Sequence, residues 1–213
     1  HNVVLPRNTA ATKGGGMHNA TVTTTTRING SLSQNPATGN GGASYITGPD
    51  LTVSNSIFYG NTAGGSGNSI DRFLGSSPRV SYSYFDDASL PTDIVDDGNN
   101  LLGQSNPFVD AAGDNLQLVA FSTAIDAGDN SQNSTTEDVA NNVRNYDDAN
   151  VTDTGAGTAP IIDMGAFERQ TDSEDNCLSD PITLSDPETV TTDYITQAEI
   201  TSTQSIESGA TVL

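Results

Sequence analysis

Basic residues are scarce in this chain. It has 213 residues, of which 7 are Lys or Arg and 27 are Asp or Glu, so the formal net charge is −20 at pH 7. Proteins hold nucleic acid largely by neutralising phosphates with Lys and Arg, and anionic membrane surfaces attract the same residues. The charge balance therefore argues against both kinds of partner. It is compatible with divalent cations and with an extracellular setting.

Long apolar runs and cysteine pairs are also missing. No stretch of about 18 apolar residues occurs, so the sequence predicts no membrane-spanning helix. The single cysteine, Cys177, excludes a disulfide within the chain and leaves a free thiol or an intermolecular bridge. The first residues do not read as a signal peptide but already belong to a repeat. We therefore expect the chain to be a piece of a longer precursor.

Apolar residues make up only 33% of the chain and charged residues 16%, while Ser, Thr, Asn and Gly predominate. Disorder is one interpretation of such a composition, but disordered segments carry high charge and no periodic pattern. The other interpretation is a narrow repeat fold with a thin core, and a regular spacing in the sequence favours it.

That spacing is a period of 26 to 27 residues over the first ninety residues. Two series of positions keep it: Leu5, Leu32, Phe58 and Phe85 before each turn, and Asn8, Asn35 and Asn61 at the start of each Gly-rich run. A fixed period of this length is typical of stacked-repeat folds. The segments between the turns are rich in Ser, Thr, Val, Asn and Tyr, which favours strands over helices.

About 26 residues, at roughly 3.3 Å per residue in a strand, can circle a narrow core once. The residues therefore predict an all-β fold, a β-solenoid in which successive turns pair strand on strand. We expect the apolar series to form an internal ladder and the Asn series to form a second ladder at a corner, where amides bond from turn to turn. The Gly runs would supply corners with positive φ.

Four regions follow from the composition. We expect repeat turns at 1–90, the last turns and a closing module with a long polar loop at 91–170, an acidic linker at 171–180, and the start of a small β module at 181–213. The turns are predicted to resume over Leu101–Asp129, with core positions at Phe108, Leu116, Leu118 and Ile125. Ile161–Arg169 is predicted to be a final strand that closes the end of the solenoid. Tyr84, which alternates with inward-facing Phe85, is expected at the edge or outside.

Five motifs in order resemble the terminal module of secreted bacterial β-helix proteins labelled choice-of-anchor Q, which are common in Bacteroidetes-type bacteria. They are NPFVD (106–110), LQL (116–118), STAIDAGD (122–129), DVANNVR (138–144) and DMGAFE (163–168). Ser122-Thr123 departs from the usual Ser-Pro of that family. The resemblance covers about residues 5–170 and implies a right-handed parallel β-helix. The tail TSTQSIESGATV (201–212) is similar to the start of a small β module in proteins exported by the type IX system.

An enzyme is one interpretation, because the parallel β-helix hosts pectate lyases and other polysaccharide enzymes. Such lyases need a Ca²⁺-binding acid cluster with a Lys or Arg base, and glycosidases need two or three stacked carboxylates. The acids of residues 1–85 are only Asp50 and Asp71, both expected in loops. No acid–base pair recurs at one position of the repeat, and a fold by itself does not imply an activity. The sequence therefore favours a protein without catalysis.

Acidic residues concentrate instead near Arg144 in the closing module, and two interpretations stay open. In the first, Asp126 and Asp163 bond Arg144 or the backbone amides of turns, because a buried carboxylate must be paired. In the second, Asp126, Asp129 and Asp163 supply oxygen ligands to Ca²⁺. Their spacing matches neither an EF-hand nor an RTX repeat.

The sequence thus predicts an extracellular structural or adhesive surface protein of a bacterium, as a stalk or a self-assembling filament segment, with a polysaccharide-active enzyme as the alternative. Expected partners are other copies joined end to end, surface proteins or glycans. A third hypothesis is a flat threonine face, Thr21–Thr26, that binds ice or glycan; an ordinary solvent-facing strand is the simpler interpretation.

Overall fold

The computed structural model of the chain describes residues 1–20, 25–48, 51–73 and 75–170. These residues belong to one compact unit, His1–Gln170. The expected linker at 171–180, the expected module at 181–213 and Cys177 lie outside the described residues. So do most positions of the threonine face, of which Thr25 and Thr26 are described in a strand.

The described part of the chain is all-β. Its strands are β1 (Val3–Pro6), β2 (Met17–Asn19), β3 (Thr25–Ile28), β4 (Gly30–Ser33), β5 (Pro36–Ala37), β6 (Ser44–Ile46), β7 (Leu51–Ser54), β8 (Ile57–Tyr59), β9 (Thr62–Ala63), β10 (Ile70–Arg72), β11 (Arg79–Ser81), β12 (Tyr84–Phe85), β13 (Val95–Asp96), β14 (Phe108–Asp110) and β15 (Asn115–Leu118). A short 3₁₀ helix, Asn130–Gln132, is the one helical element there. Within these ranges, no helix has the length and apolar character that crossing a bilayer requires.

Three parallel sheets contain most of these strands. Sheet 1 has the order β1-β4-β8-β12, sheet 2 the order β2-β6-β10, and sheet 3 the order β3-β7-β11-β13. In sheet 1, Leu5 pairs with Leu32, Leu32 with Phe58, and Phe58 with Phe85. The apolar ladder expected from the sequence is therefore confirmed. The rings of Phe58 and Phe85 stack with centroids 4.9 Å apart.

The asparagine ladder is also present. The side-chain Oδ1 of Asn35 accepts the backbone N–H of Asn8 at 2.9 Å, and Oδ1 of Asn61 accepts that of Asn35 at 3.0 Å. The Asn35 amide Nδ2 donates to the Leu5 carbonyl at 2.8 Å. Because Asn35 and Asn61 are buried, these bonds satisfy polar groups that water does not reach.

The expected glycine corners recur with the same spacing. Gly14, Gly41 and Gly67 have φ of 67°, 69° and 66°. A Cβ atom at Gly41 would lie 2.4 Å from the Ser44 carbonyl oxygen. This corner thus requires Gly for two reasons: its backbone is left-handed, and it has no room for a side chain.

Sheet 1 is covered on both faces. One face packs into the first core, which includes Leu32, Phe58 and Phe85. The other face contributes Ile57 and Tyr84 to a second core. That second core is completed by Phe108, Ala111, Leu116, Leu118, Ala124, Ile125, Ala127 and Met164. The expectation that Tyr84 lies outside is wrong: it is 2% exposed, and its hydroxyl donates to the Ser105 carbonyl at 2.8 Å.

The prediction that repeat turns resume over Leu101–Asp129 holds only at its start, where Leu101 forms a parallel bridge with Tyr84. β14 and β15 form an antiparallel hairpin, in which Phe108 pairs with Leu118. The four predicted core positions are nonetheless buried. Phe108, Leu116 and Leu118 lie on the hairpin, and Ile125 follows it and joins the same second core.

Ile161–Arg169 forms no strand in the described chain and packs against the side of sheet 1 rather than its end. The Gly165 N–H donates to the Asn55 carbonyl at 2.8 Å, and the Ala166 N–H donates to Ser31 Oγ at 2.9 Å. Gly165 has a φ of 100°, and a Cβ there would lie 2.7 Å from Ile57 Cδ1. The glycine of DMGAFE therefore permits this close approach.

Candidate functional site: the acidic module

The acidic module, residues 126–170, is built around a buried arginine. Arg144 is 0% exposed, and its Nη2 donates to the Asp163 carbonyl at 3.2 Å and to the Gly165 carbonyl. Its Nε lies 3.6 Å from Glu168 Oε2. Burial lowers the pKa of Arg144, and the carboxylates of Glu168, Asp163 and Asp138 act in the opposite direction.

Two buried carboxylates beside Arg144 accept backbone amides. Asp163 accepts the N–H of Asp126 at 2.8 Å and that of Arg169 at 2.6 Å. Glu168 accepts the N–H of Asp163 at 3.0 Å and that of Tyr146 at 3.3 Å. Burial raises the pKa of both carboxyl groups, and their contacts with Arg144 and with amides lower it. Asp163 thus follows the structural interpretation that the sequence allowed.

Asp138 fixes the neighbouring loop in the same way. Its Oδ1 accepts the N–H groups of Ala140 at 2.7 Å and Asn142 at 2.9 Å. Its Oδ2 accepts the N–H of Glu168 at 2.9 Å. These carboxylates replace water as acceptors for turn amides, which is the reason that a loop-rich segment can be buried at all.

Asp126 is the exception. It is 0% exposed, yet neither of its carboxylate oxygens has a hydrogen-bond partner among the described residues. Its backbone is well held, because its N–H donates to Asp163 and its carbonyl accepts the N–H groups of Thr154 at 2.9 Å and Gly155 at 3.0 Å. Burial raises the pKa of Asp126 from 3.8 to about 7, and the charges of nearby acids add to this effect.

The side chain of Asp126 meets a loop that carries two more acids. One carboxylate oxygen from each of Asp126, Asp147 and Asp153 lies within 4.8 Å of the others. Between the two loop acids, the Val151 N–H donates to the Asp148 carbonyl at 2.8 Å, which closes a turn. Asp147 and Asp153 are exposed, whereas Asp126 is buried.

Of the three predicted Ca²⁺ ligands, the structure thus places only Asp126 in an acid cluster. Asp163 is occupied by backbone amides, and Asp129 Oδ1 accepts the Ser131 N–H at 2.9 Å as the cap of the 3₁₀ helix. Sequence reasoning did not single out Asp153. The segment DDANVTD (147–153), with acids at both ends of a short turn, is the signal that could have found it.

Two surface depressions were considered for an enzyme site. One has a volume of about 370 Å³ and is lined by Asn2, Ser134, Thr135, Thr136, Glu137 and Asp138. The other has a volume of about 230 Å³ and is lined by Gly67, Asn68, Asp87, Ser89, Leu90 and Pro91. In the described chain, neither lining includes the Lys or Arg base that a lyase of this fold class requires.

Asp71, an acid of the repeat region, differs from expectation in its position. Asp71 lies on β10 rather than in a loop, and its Oδ2 accepts the Asn40 amide at 2.6 Å and the Ser66 hydroxyl at 2.7 Å. Asp50 lies outside the described residues. Asp71 therefore has a structural role, because its carboxylate joins β10 to Asn40 and Ser66 in the connecting segments.

No protein-family model, curated protein or solved structure matches the chain.

Proposed function

We propose that the chain is a structural segment of an exported bacterial surface protein, folded as a right-handed parallel β-helix with 26 to 27 residues per turn, and that it has no active site. The observation that carries this proposal is the common register of the sheets. Val3 pairs with Gly30, Met17 with Ser44, and Thr25 with Leu51. One spacing in three sheets is what a chain that winds repeatedly around one axis would give.

The charge and composition support a surface role. A thin core with many Ser, Thr and Asn turns suits a rigid spacer, and a net charge of −20 keeps such a protein soluble and separate from anionic surfaces. Export from a bacterial cell is proposed from the resemblance of the five motifs to choice-of-anchor Q modules, and no family model matches the chain.

We further propose that copies join end to end. β1, β2 and β3 are the outer strands of their sheets, and each pairs with one strand only within the described chain. An unpaired parallel edge is a template for a further strand. A second copy is the occupant that we propose for these edges, and a head-to-tail contact that repeats without closing makes an open filament. In a longer precursor, the residues that precede His1 would be the other occupant of the same edges.

The register specifies which residues would meet. His18 pairs with Tyr45, and Tyr45 pairs with Asp71 on β10, at the other edge of sheet 2. If the register continues across the contact, His18 of one copy lies beside Asp71 of the next. His18 is exposed within a single chain, so it accepts substitutions without disturbing the core.

Two opposite charge changes at His18 test the contact by sedimentation velocity over a range of concentrations. His18→Glu would face Asp71 with a like charge and is expected to weaken association at least tenfold. His18→Lys would face it with an opposite charge and is expected to keep association or strengthen it.

The matched controls are Gln117→Glu and Gln117→Lys at an exposed position of β15, a strand that pairs with β14 and belongs to none of the three sheets. They change the net charge in the same way and should leave association unaltered. A chain that stays monomeric at every concentration would contradict the proposal. Equal effects at Gln117 and His18 would also contradict it, since net charge alone would then explain them.

A further inference from the structure

The carboxylate of Asp126 lacks what the other buried carboxylates of the acidic module have. Asp138, Asp163 and Glu168 each accept at least two N–H groups. Asp126 is buried as deeply, yet its two oxygens have no donor among the described residues. An ionised carboxylate buried without a donor or a counter-ion is destabilised, so this side chain is either protonated or paired with a cation.

No described cation supplies that charge. Arg144 donates to the carbonyls of Asp163 and Gly165 and faces Glu168. The charged groups that act on the Asp126 carboxyl group are themselves acids, namely Asp163, Asp153, Asp147 and Asp148. Asp163 lies beside Arg144, and Asp148 lies 3.5 Å from Nε of Arg169. Asp147 and Asp153 thus add negative charge next to Asp126, and this charge attracts a small cation.

Backbone hydrogen bonds bring the 147–153 loop to Asp126 and leave the Asp126 side chain free of them. The Thr154 and Gly155 N–H groups hold the end of the 147–153 loop against the Asp126 carbonyl. The φ of Asp126 is 50°, a left-handed conformation that Asp adopts more readily than most residues. The three carboxylates therefore converge because the loop is tied to Asp126 by backbone bonds.

We propose that Asp126, Asp147 and Asp153 bind a divalent cation, and that the cation is Ca²⁺. All three donors are hard oxygens, and the group contains neither the nitrogen nor the sulfur ligands that favour zinc or copper. Ca²⁺ binds oxygens at about 2.3–2.6 Å, so two ligands on opposite sides of the ion lie about 5 Å apart. The 4.8 Å limit of this cluster fits within that span. Exposed Asp147 and Asp153 leave room for water ligands.

The bound ion would join two parts of the acidic module that are distant in sequence. Asp126 belongs to the segment that reaches sheet 1 through Asp129, whose N–H and carbonyl both bond Asn55. Asp147 and Asp153 belong to an exposed loop. Ca²⁺ thus fastens this loop to the repeat strands and removes the repulsion among the three acids.

Isothermal titration of the full chain with CaCl₂ in 150 mM NaCl, together with thermal unfolding in CaCl₂ and in EDTA, tests the site. We expect one tight site and a higher unfolding temperature in CaCl₂. Asp126→Asn preserves the size of the side chain, and Asn tolerates a left-handed backbone. Asp153→Asn changes an exposed residue and leaves the core untouched. Each is expected to weaken Ca²⁺ binding at least tenfold and to abolish the thermal shift.

The matched control is Glu137→Gln, which removes one exposed charge from the same module and should leave binding unchanged. Absence of a CaCl₂ response in the wild-type chain would overturn the proposal. So would binding that persists unweakened in both Asp126→Asn and Asp153→Asn. A response to MgCl₂ as strong as that to CaCl₂ would overturn the assignment to Ca²⁺.

Discussion

Asn55 binds both backbone polar groups of Asp129, a residue 74 positions later in the chain. Its Oδ1 accepts the Asp129 N–H at 2.8 Å, and its Nδ2 donates to the Asp129 carbonyl at 3.0 Å. Asn55 is fully buried and has a φ of 50°, a conformation that Asn adopts more readily than most residues. A single side chain therefore joins the repeat strands to the acidic module.

Asn55→Ala should be strongly destabilising. It removes two part-buried hydrogen bonds to the backbone of Asp129 and places Ala at a left-handed position. We expect a loss of about 2–5 kcal/mol in the free energy of unfolding, measured by chemical denaturation. Asn99→Ala is the control, because Asn99 is exposed and also left-handed, with a φ of 58°. If both variants lose the same free energy, backbone conformation accounts for the loss and the bonds to Asp129 contribute nothing.

Gly165 and Gly98 form a matched pair for the docking of the acidic module. Both have a φ of 100°, but a Cβ at Gly165 would lie 2.7 Å from Ile57 Cδ1, whereas a Cβ at Gly98 has no described atom within 4 Å. Gly165→Ala should therefore lower the free energy of unfolding by about 1–3 kcal/mol more than Gly98→Ala does. Equal losses in the two variants would show that Gly165 is required for its backbone only.

The stability of the metal-free protein should depend on Asp126. Its pKa is raised from 3.8 to about 7, so the folded chain holds this proton more tightly than the unfolded chain does. Its contribution to stability is fully present below about pH 4 and is lost as pH rises through about 7. In EDTA, the free energy of unfolding should fall between pH 4 and pH 8, with a share from Asp126 on the order of a few kcal/mol.

Asp126→Asn removes that share. In EDTA at pH 8 the variant should be more stable than the wild-type chain, and its unfolding free energy should change less with pH. Asp163 and Glu168 keep their own dependence in the same direction, so a residual slope is expected. A variant whose pH profile overlays that of the wild-type chain would contradict this explanation, and Glu137→Gln serves as the charge-matched reference.

The repeat could be predicted from the sequence because its physical cause is local and periodic. Stacked turns need the same kind of residue at equivalent positions. The strand register is therefore visible in the sequence as the spacing of Leu5, Leu32, Phe58 and Phe85. The Asn8, Asn35 and Asn61 ladder was predictable for the same reason, since each amide bonds the equivalent position one turn away.

The second core was not predictable in this way. Alternation in VSYSYFDD shows that Tyr84 and Phe85 face opposite sides of sheet 1, but it does not show that the outer side is covered. The β14–β15 hairpin and Met164 cover it through contacts between distant residues, and a repeat period carries no information on them.

The site was predictable in part. Sequence reasoning identified Asp126 and the acidic module, because single acids between apolar residues are unusual. One of its two interpretations made Asp129 and Asp163 co-ligands of Asp126, and the other gave Asp163 backbone amides or Arg144. In the structure Asp129 and Asp163 both accept backbone N–H groups. Which acid meets an amide and which meets another acid depends on how the 147–153 loop is tied to Asp126, and that connection is made by backbone groups that every residue type has.

Electron cryomicroscopy of the wild-type chain at high concentration is the most direct test of the proposed structural role. The account predicts filaments whose subunits are right-handed parallel β-helices, with neighbouring turns about 4.8 Å apart. It further predicts that β2 of one copy continues sheet 2 beside β10 of the next. Isolated particles at all concentrations, or filaments whose contacts leave β1, β2 and β3 unpaired, would contradict it.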